Sequence, residues 1–85
     1  MPAKHFQISK STNKQIGKLP IRIQDKINKA FDRLKTDPLS GDKLHGELKG
    51  YYKYRLGDYR IIYSFDIGNN ILSVVKIEHR QGVYK

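Results

Sequence analysis

The sequence predicts an α+β fold, with two N-terminal helices packed on one face of a small, mostly antiparallel β-sheet. Three observations predict it. Residues 51–63, YYKYRLGDYRIIY, alternate apolar and cationic side chains on either side of Gly57-Asp58. That is the pattern of two half-buried strands joined by a tight turn. Ile23, Ile27, Ala30, Phe31 and Leu34 fall on one helical stripe, the mark of a helix laid on a core. The last three predicted strands are separated by short connections only, which forces antiparallel neighbours.

Taken in order, Lys4–Ile8 alternate as a short strand, with Phe6 and Ile8 on one side and His5 and Gln7 on the other. Ser9 or Ser11 then caps a short helix over 10–18, with Gly17 as its stop. Leu19-Pro20 opens a second helix over 20–36, with Pro20 near the first helical position, where its missing N–H is not needed. Arg22, Lys26, Lys29, Asp32, Arg33 and Lys35 lie mostly away from the apolar stripe. Asp37-Pro38 ends the helix, because a residue before proline is pushed out of the helical region.

Pro38–Gly50 reads as a loop with three glycines, Leu44 and Leu48 tucking back beneath it. His45 is expected at its surface or bonded to backbone. The meander then runs from 51 to 80. In its first hairpin Tyr52, Tyr54, Leu56, Tyr59, Ile61 and Tyr63 share one face, and Lys53, Arg55 and Arg60 share the other. Gly68-Asn69-Asn70 is a turn signal. In the last strand Ile71, Val75 and Ile77 are expected to face inward and Lys76, Glu78 and Arg80 outward. Leu72 and Val74 blur that alternation, as in a central strand covered on both faces.

Eighty-five residues make a single domain over 1–85 with a modest core. There are no cysteines, so no disulfide or thiolate metal site is available, and the three histidines are far apart. Neither a metal nor another cofactor is expected. No apolar run approaches membrane-spanning length, and MPAKHF has no signal-peptide core. A cytoplasmic protein without a membrane partner is the expectation. Seventeen Lys and Arg against eight Asp and Glu give a net charge of +9, a field that draws polyanions. Lys53, Arg55, Arg60 and Arg80 together on an uncovered sheet face would repel one another unless an anion meets them.

The segments LHGELKGYYKYRLGDYRIIY and VVKIEHRQGVY resemble the RelE side of the RelE/ParE superfamily of type II toxins. The likeness runs over nearly the whole chain. It implies the small α+β fold derived above and a toxin that enters the ribosomal A site and cuts mRNA there. It also implies a cognate antitoxin, encoded by the adjacent gene, that holds the toxin inactive. Ribosome and mRNA are then the other partners. Carried over by position, the resemblance implies that Lys53, Arg55, Arg60, Arg80 and Tyr84 line the catalytic surface; Lys53, Arg60, Arg80 and Tyr84 are expected to be catalytic, and Arg55, Lys76 and His79 to bind RNA. Two departures stand out: Arg55 occupies a place where a well-known member has lysine, and the spacing from Arg80 to Tyr84 is shorter.

The chemistry implied is metal-independent attack of a 2′-OH on its own adjacent phosphate. Arginine forks suit the charge that develops on that phosphate. Lys53, Tyr84 and His79 are the residues able to move protons there, and the sequence leaves the base and the acid unassigned. Alternation turns His79 away from Arg80, toward the core or the sheet edge. The plainer reading of Arg60 is an ion pair with Asp58 or Asp66, and of Arg80 one with Glu78 or Asp66. Two other functions compete: a ParE-like poison of DNA gyrase, and a basic RNA-binding domain without catalysis.

Overall fold

The computed structural model describes residues 2–79. The chain runs β1 (His5–Ile8), α1 (Lys10–Gly17), α2 (Ile21–Thr36), β2 (Asp42–Lys43), a 3-10 turn (Gly46–Leu48), β3 (Tyr52–Leu56), β4 (Tyr59–Asp66) and β5 (Ile71–His79). The five strands form one sheet in the order β1-β5-β4-β3-β2. β1 runs parallel to β5, and every other pairing is antiparallel. The predicted α+β architecture is therefore the one found, with one strand more than expected. That strand, β2, lies inside the predicted 38–50 loop, and two residues are too few to show any period.

Both helices start and stop for local reasons. Ser9 Oγ accepts the Thr12 N–H at 3.2 Å, capping α1. Pro20 sits one place earlier than expected, at the cap of α2, and its carbonyl accepts the Ile23 and Gln24 N–H groups at 2.9 and 3.0 Å. Ile27, Ala30, Phe31 and Leu34 are buried as the stripe predicts. They meet Ile61, Tyr63, Leu72, Val74 and Ile77 of the sheet, with Ile16 joining from α1. Phe6 of β1 packs on Phe31 with ring centroids 5.1 Å apart. Burial of this kind stabilises by about 25 cal/mol per Å² of apolar surface.

The expectation for β5 holds at Ile77 and fails at Ile71 and Val75. Ile62 pairs with Lys76, but its neighbour Tyr63 pairs with Val74, so Val75 is an extra residue in the ladder. Such a bulge reverses the facing of everything before it. Leu72 and Val74 are inside with Ile77, and Val75 is exposed. The blurred alternation in the sequence is thus the trace of a bulge, and not of a strand covered on both faces.

α1 guards the edge that the bulge leaves. β1 pairs with β5 only over Ile71–Val74. Beyond that point Thr12 Oγ1 donates to the Val75 carbonyl at 2.8 Å, and Gln15 Nε2 donates to the Ile77 carbonyl. Thr12 is itself buried and accepts a 2.6 Å hydrogen bond from Ser9. Side chains of a helix thus satisfy backbone acceptors that an unpaired strand would offer to another chain.

Candidate functional site

The helices cover one face of the sheet and leave the other to solvent. The register of β3, β4 and β5 decides what stands on the open face. Lys53, Ile62 and Lys76 form one cross-strand row, and Arg55, Arg60 and Glu78 form the next. Asp42 of β2 extends the first row beside Lys53, so among the described residues four cations and two carboxylates occupy two adjacent rows. Ile62 is 2% exposed despite its place on the open face. Long cationic side chains can cover an apolar neighbour with their aliphatic stems while their heads stay wet.

Glu78 organises the patch. Its Oε1 accepts from Arg60 Nη2 at 2.9 Å, and its Oε2 lies 2.9 Å from Lys76 Nζ. Lys76, first by its hydrogen bond, and then Arg60 hold the Glu78 carboxyl below the usual carboxylate range, against an opposing push from burial. The expected partners of Arg60 are corrected here. Asp66 instead accepts from the Asn69 side chain and N–H at 2.9 and 3.2 Å, which lowers its own carboxyl. Asp66 closes the β4–β5 turn and does not meet Arg60. The Nε of Arg60 is buried and makes no hydrogen bond among the described residues.

The structure brings together Lys53, Arg55, Arg60 and Lys76. It sets His79 apart from them. His79 pairs with Tyr59 across the ladder and meets its ring edge-on, with centroids 4.7 Å apart, on the side of the sheet that carries the core. Arg80 and Tyr84 lie outside the described residues. Glu78 was missed as a member of the site. The signal that could have found it was its place two residues from Lys76 on the same strand face.

The β3 end of the site is anchored from beneath. Tyr63 is fully buried, stacks on Tyr52 at 5.4 Å, and accepts the Gly41 N–H at 3.0 Å through its hydroxyl. Burial pushes that hydroxyl up to about 12. A Cβ on residue 41 would stand 2.5 Å from Tyr63 Oη and 2.7 Å from the Lys53 carbonyl oxygen. Glycine at 41 therefore lets the chain leaving α2 pass close to the backbone of Lys53. Among the described residues no helix is long and apolar enough to cross a membrane. No three His, Asp or Glu of the described residues gather as metal ligands.

Residues 6–84 match the model of the family described as ParE toxin of type II toxin-antitoxin system, parDE. Toxin RelG of Mycobacterium tuberculosis is 31% identical over 77 residues, which is 88% of either chain. The toxin-antitoxin complex RelBE2 of the same organism contains a chain that superposes with a TM-score of 0.83 at 29% identity, covering 94% of this chain and 93% of that one. The archaeal RelE-RelB complex of Pyrococcus horikoshii gives 0.77 at 26% identity, over 94% and 97%. With the family model matched over almost the whole of this chain and relatives of RelE type in both sequence and structure, the chain belongs to the RelE/ParE family of type II toxins.

Proposed function

We propose that this toxin is a ribosome-dependent endoribonuclease that cuts mRNA in the A site. One observation carries the reading: Lys53, Arg55, Arg60 and Lys76 stand in two neighbouring rows on the uncovered sheet face, where the described carboxylates are Asp42 and Glu78. Such a face suits a phosphodiester backbone better than it suits a protein surface, since fixed cations match phosphate charge and shape.

The chemistry follows from the side chains. The 2′-oxygen attacks the adjacent phosphorus and the bond to the 5′-oxygen breaks, leaving a 2′,3′-cyclic phosphate and a 5′-hydroxyl. One proton leaves the 2′-OH and one reaches the 5′-oxygen. Arg60 is placed to meet the charge that grows on the phosphoryl oxygens, and its guanidinium stays ionised throughout. Glu78 holds that guanidinium in position. Lys53 is the described residue best placed to move a proton, and Arg55 and Lys76 hold the flanking backbone. Arg80 and Tyr84 complete the assignment by resemblance alone.

The partner proposed is an antitoxin with an acidic, partly helical segment. Two of the RelE-type structures similar to this chain, RelBE2 of Mycobacterium tuberculosis and the archaeal RelE-RelB complex, are toxin-antitoxin complexes. In this chain a cleft of about 340 Å³ between α2 and β3 sets Lys26, Lys29 and Arg33 around Ala30, Tyr54 and Leu56, an apolar floor with a basic rim.

Cleavage of mRNA on programmed ribosomes, with purified toxin and the product ends mapped, tests the reading. A 2′,3′-cyclic phosphate at the A-site codon is the expected product. Inhibition of DNA gyrase without any RNA cleavage would replace the reading with that of a gyrase poison.

A further inference from the structure

We infer that Tyr63 is a positioning residue for Lys53: its hydroxyl, on the core side of the sheet, ties β2 to the edge of β3, and that tie sets where Lys53 stands on the open face. The inference rests on the ribonuclease reading and deepens it, because that reading gives Lys53 a proton to move.

The order of the sheet shows what the Tyr63 side chain does. β3 lies between β4 and β2. Tyr63 belongs to β4, yet its Oη accepts the N–H of Gly41, the residue just before β2, at 3.0 Å. The side chain therefore passes beneath β3, its ring stacked on that of Tyr52 at an interplanar angle of 18°. The same close approach brings residue 41 against the Lys53 carbonyl oxygen.

β2 needs this tie. It is two residues long, with Asp42 opposite Lys53 and Lys43 opposite Tyr52. So short a ladder does not hold itself in water. Beyond its far end the Leu44 N–H bonds the Tyr51 carbonyl at 2.9 Å. At its near end the tie is the Gly41 N–H on Tyr63 Oη.

β2 reaches Lys53 and stops there. Lys53 is flanked by Ile62 of β4 on one side and by Asp42 of β2 on the other, and it is half-buried. Arg55, two residues on, has Arg60 on one side, no β2 residue on the other, and is exposed. The difference suits their tasks. A group that moves a proton must stand within about 2.6–3.2 Å of its partner atom. A cation that holds a flanking phosphate acts over a longer range and tolerates slack. Arg60 does not depend on β2, since Glu78 of β5 holds it.

Tyr63→Phe removes the hydroxyl and keeps the ring. It is made alone and in the Lys53→Ala and Arg60→Lys backgrounds, with Ile27→Val, a core truncation on α2, as the control for lost stability. Single-turnover cleavage on programmed ribosomes is followed over a range of toxin concentrations, long enough to measure slow variants. Amide hydrogen exchange is read at Leu44 relative to the β4–β5 ladder, which separates local opening from a global loss of stability. Tyr63→Phe should lower the saturated rate by about tenfold or more, as small misplacements do, with little change in the half-saturating concentration. The Leu44 N–H should exchange faster relative to the ladder. Ile27→Val should change neither. Tyr63→Phe should cost nothing further in Lys53→Ala, and should cost its full amount in Arg60→Lys, because independent sites add.

Wild-type cleavage by Tyr63→Phe would overturn the inference. So would the same loss with and without Lys53, which would mean that the hydroxyl acts elsewhere, or slower cleavage with no change at Leu44. Wild-type cleavage by Lys53→Ala would leave nothing to position and overturn it as well. Failure of the wild-type toxin to cleave on ribosomes is a separate result: it removes the ribonuclease reading, while exchange at Leu44 still decides whether Tyr63 holds β2.

Discussion

Glu78 lies across the ladder from Arg60, its Oε1 2.9 Å from Nη2 of the guanidinium, while its other oxygen lies equally close to Lys76. One carboxylate therefore sets the direction of the arginine proposed to meet the phosphate. Glu78→Gln keeps the size of the side chain and removes its charge. It should lower single-turnover cleavage by about tenfold, the loss of one charge-assisted hydrogen bond, while RNA binds as tightly as before or more tightly. A variant that cleaves at the wild-type rate would show that Arg60 needs no positioning.

The same carboxylate carries a pH signature. Its folded-state pKa is depressed below the ordinary value of 4.5. The stability it contributes is thus fully present above about that pH and is lost as pH falls through the lower folded value. Urea unfolding from neutral to acid pH should show a shallower acid loss in Glu78→Gln than in wild type. Parallel curves would mean that the two ion pairs add nothing measurable, as for many exposed pairs.

Tyr63 acts at the opposite end of the scale. Below its ordinary value of 10.0 the hydroxyl is protonated whether the chain is folded or not; its folded value is about 12. As pH rises from 10 toward 12 the unfolded chain ionises first, so stability falls by roughly 1.4 kcal/mol per unit. Tyr63→Phe starts lower, having lost the bond to the Gly41 N–H, but should lose less between about pH 9 and about pH 12. Equal alkaline losses in the two proteins would place the proton release elsewhere.

Gly41→Ala introduces a methyl group against Tyr63 Oη and the Lys53 carbonyl. Both neighbours are held, so the clash should destabilise by about 1–3 kcal/mol. Gly68→Ala meets its nearest atom at 3.5 Å and is the control. Thermal melts that rank the two variants equally would contradict the close approach.

Much of this molecule could be read from its residues. The stripe Ile27, Ala30, Phe31 and Leu34 depends on one helix packing on one sheet, and a period of 3.6 reports that directly. Lys53, Arg55 and Arg60 were legible for the same reason, because a two-residue turn fixes the register of a hairpin. Val75 was misread because a bulge shifts the register by one, which is settled by packing against neighbours. In this case the bulge brings the Val75 carbonyl to Thr12, a residue 63 positions earlier. β2 was missed because it exists only through pairing with Tyr52 and Lys53. Glu78 was assigned its face correctly, but its pairing with Arg60 and Lys76 was not foreseen, since which cation a carboxylate chooses is decided across strands.

The central claim is that Arg60 stabilises the phosphate at the point of cleavage. Single-turnover cleavage on programmed ribosomes, compared for Arg60→Ala, Arg60→Lys and the exposed helix variant Arg22→Ala, tests it most directly, with melts confirming that each variant is folded. Arg60→Ala should slow the reaction by about 10²–10³, as loss of a fixed donor to a developing charge does. Arg60→Lys should recover only part, since an ammonium cannot reproduce the fork, and Arg22→Ala should change the rate little. If Arg60→Ala and Arg22→Ala slow cleavage to the same small extent, the open face supplies only general positive charge and the assigned site is wrong.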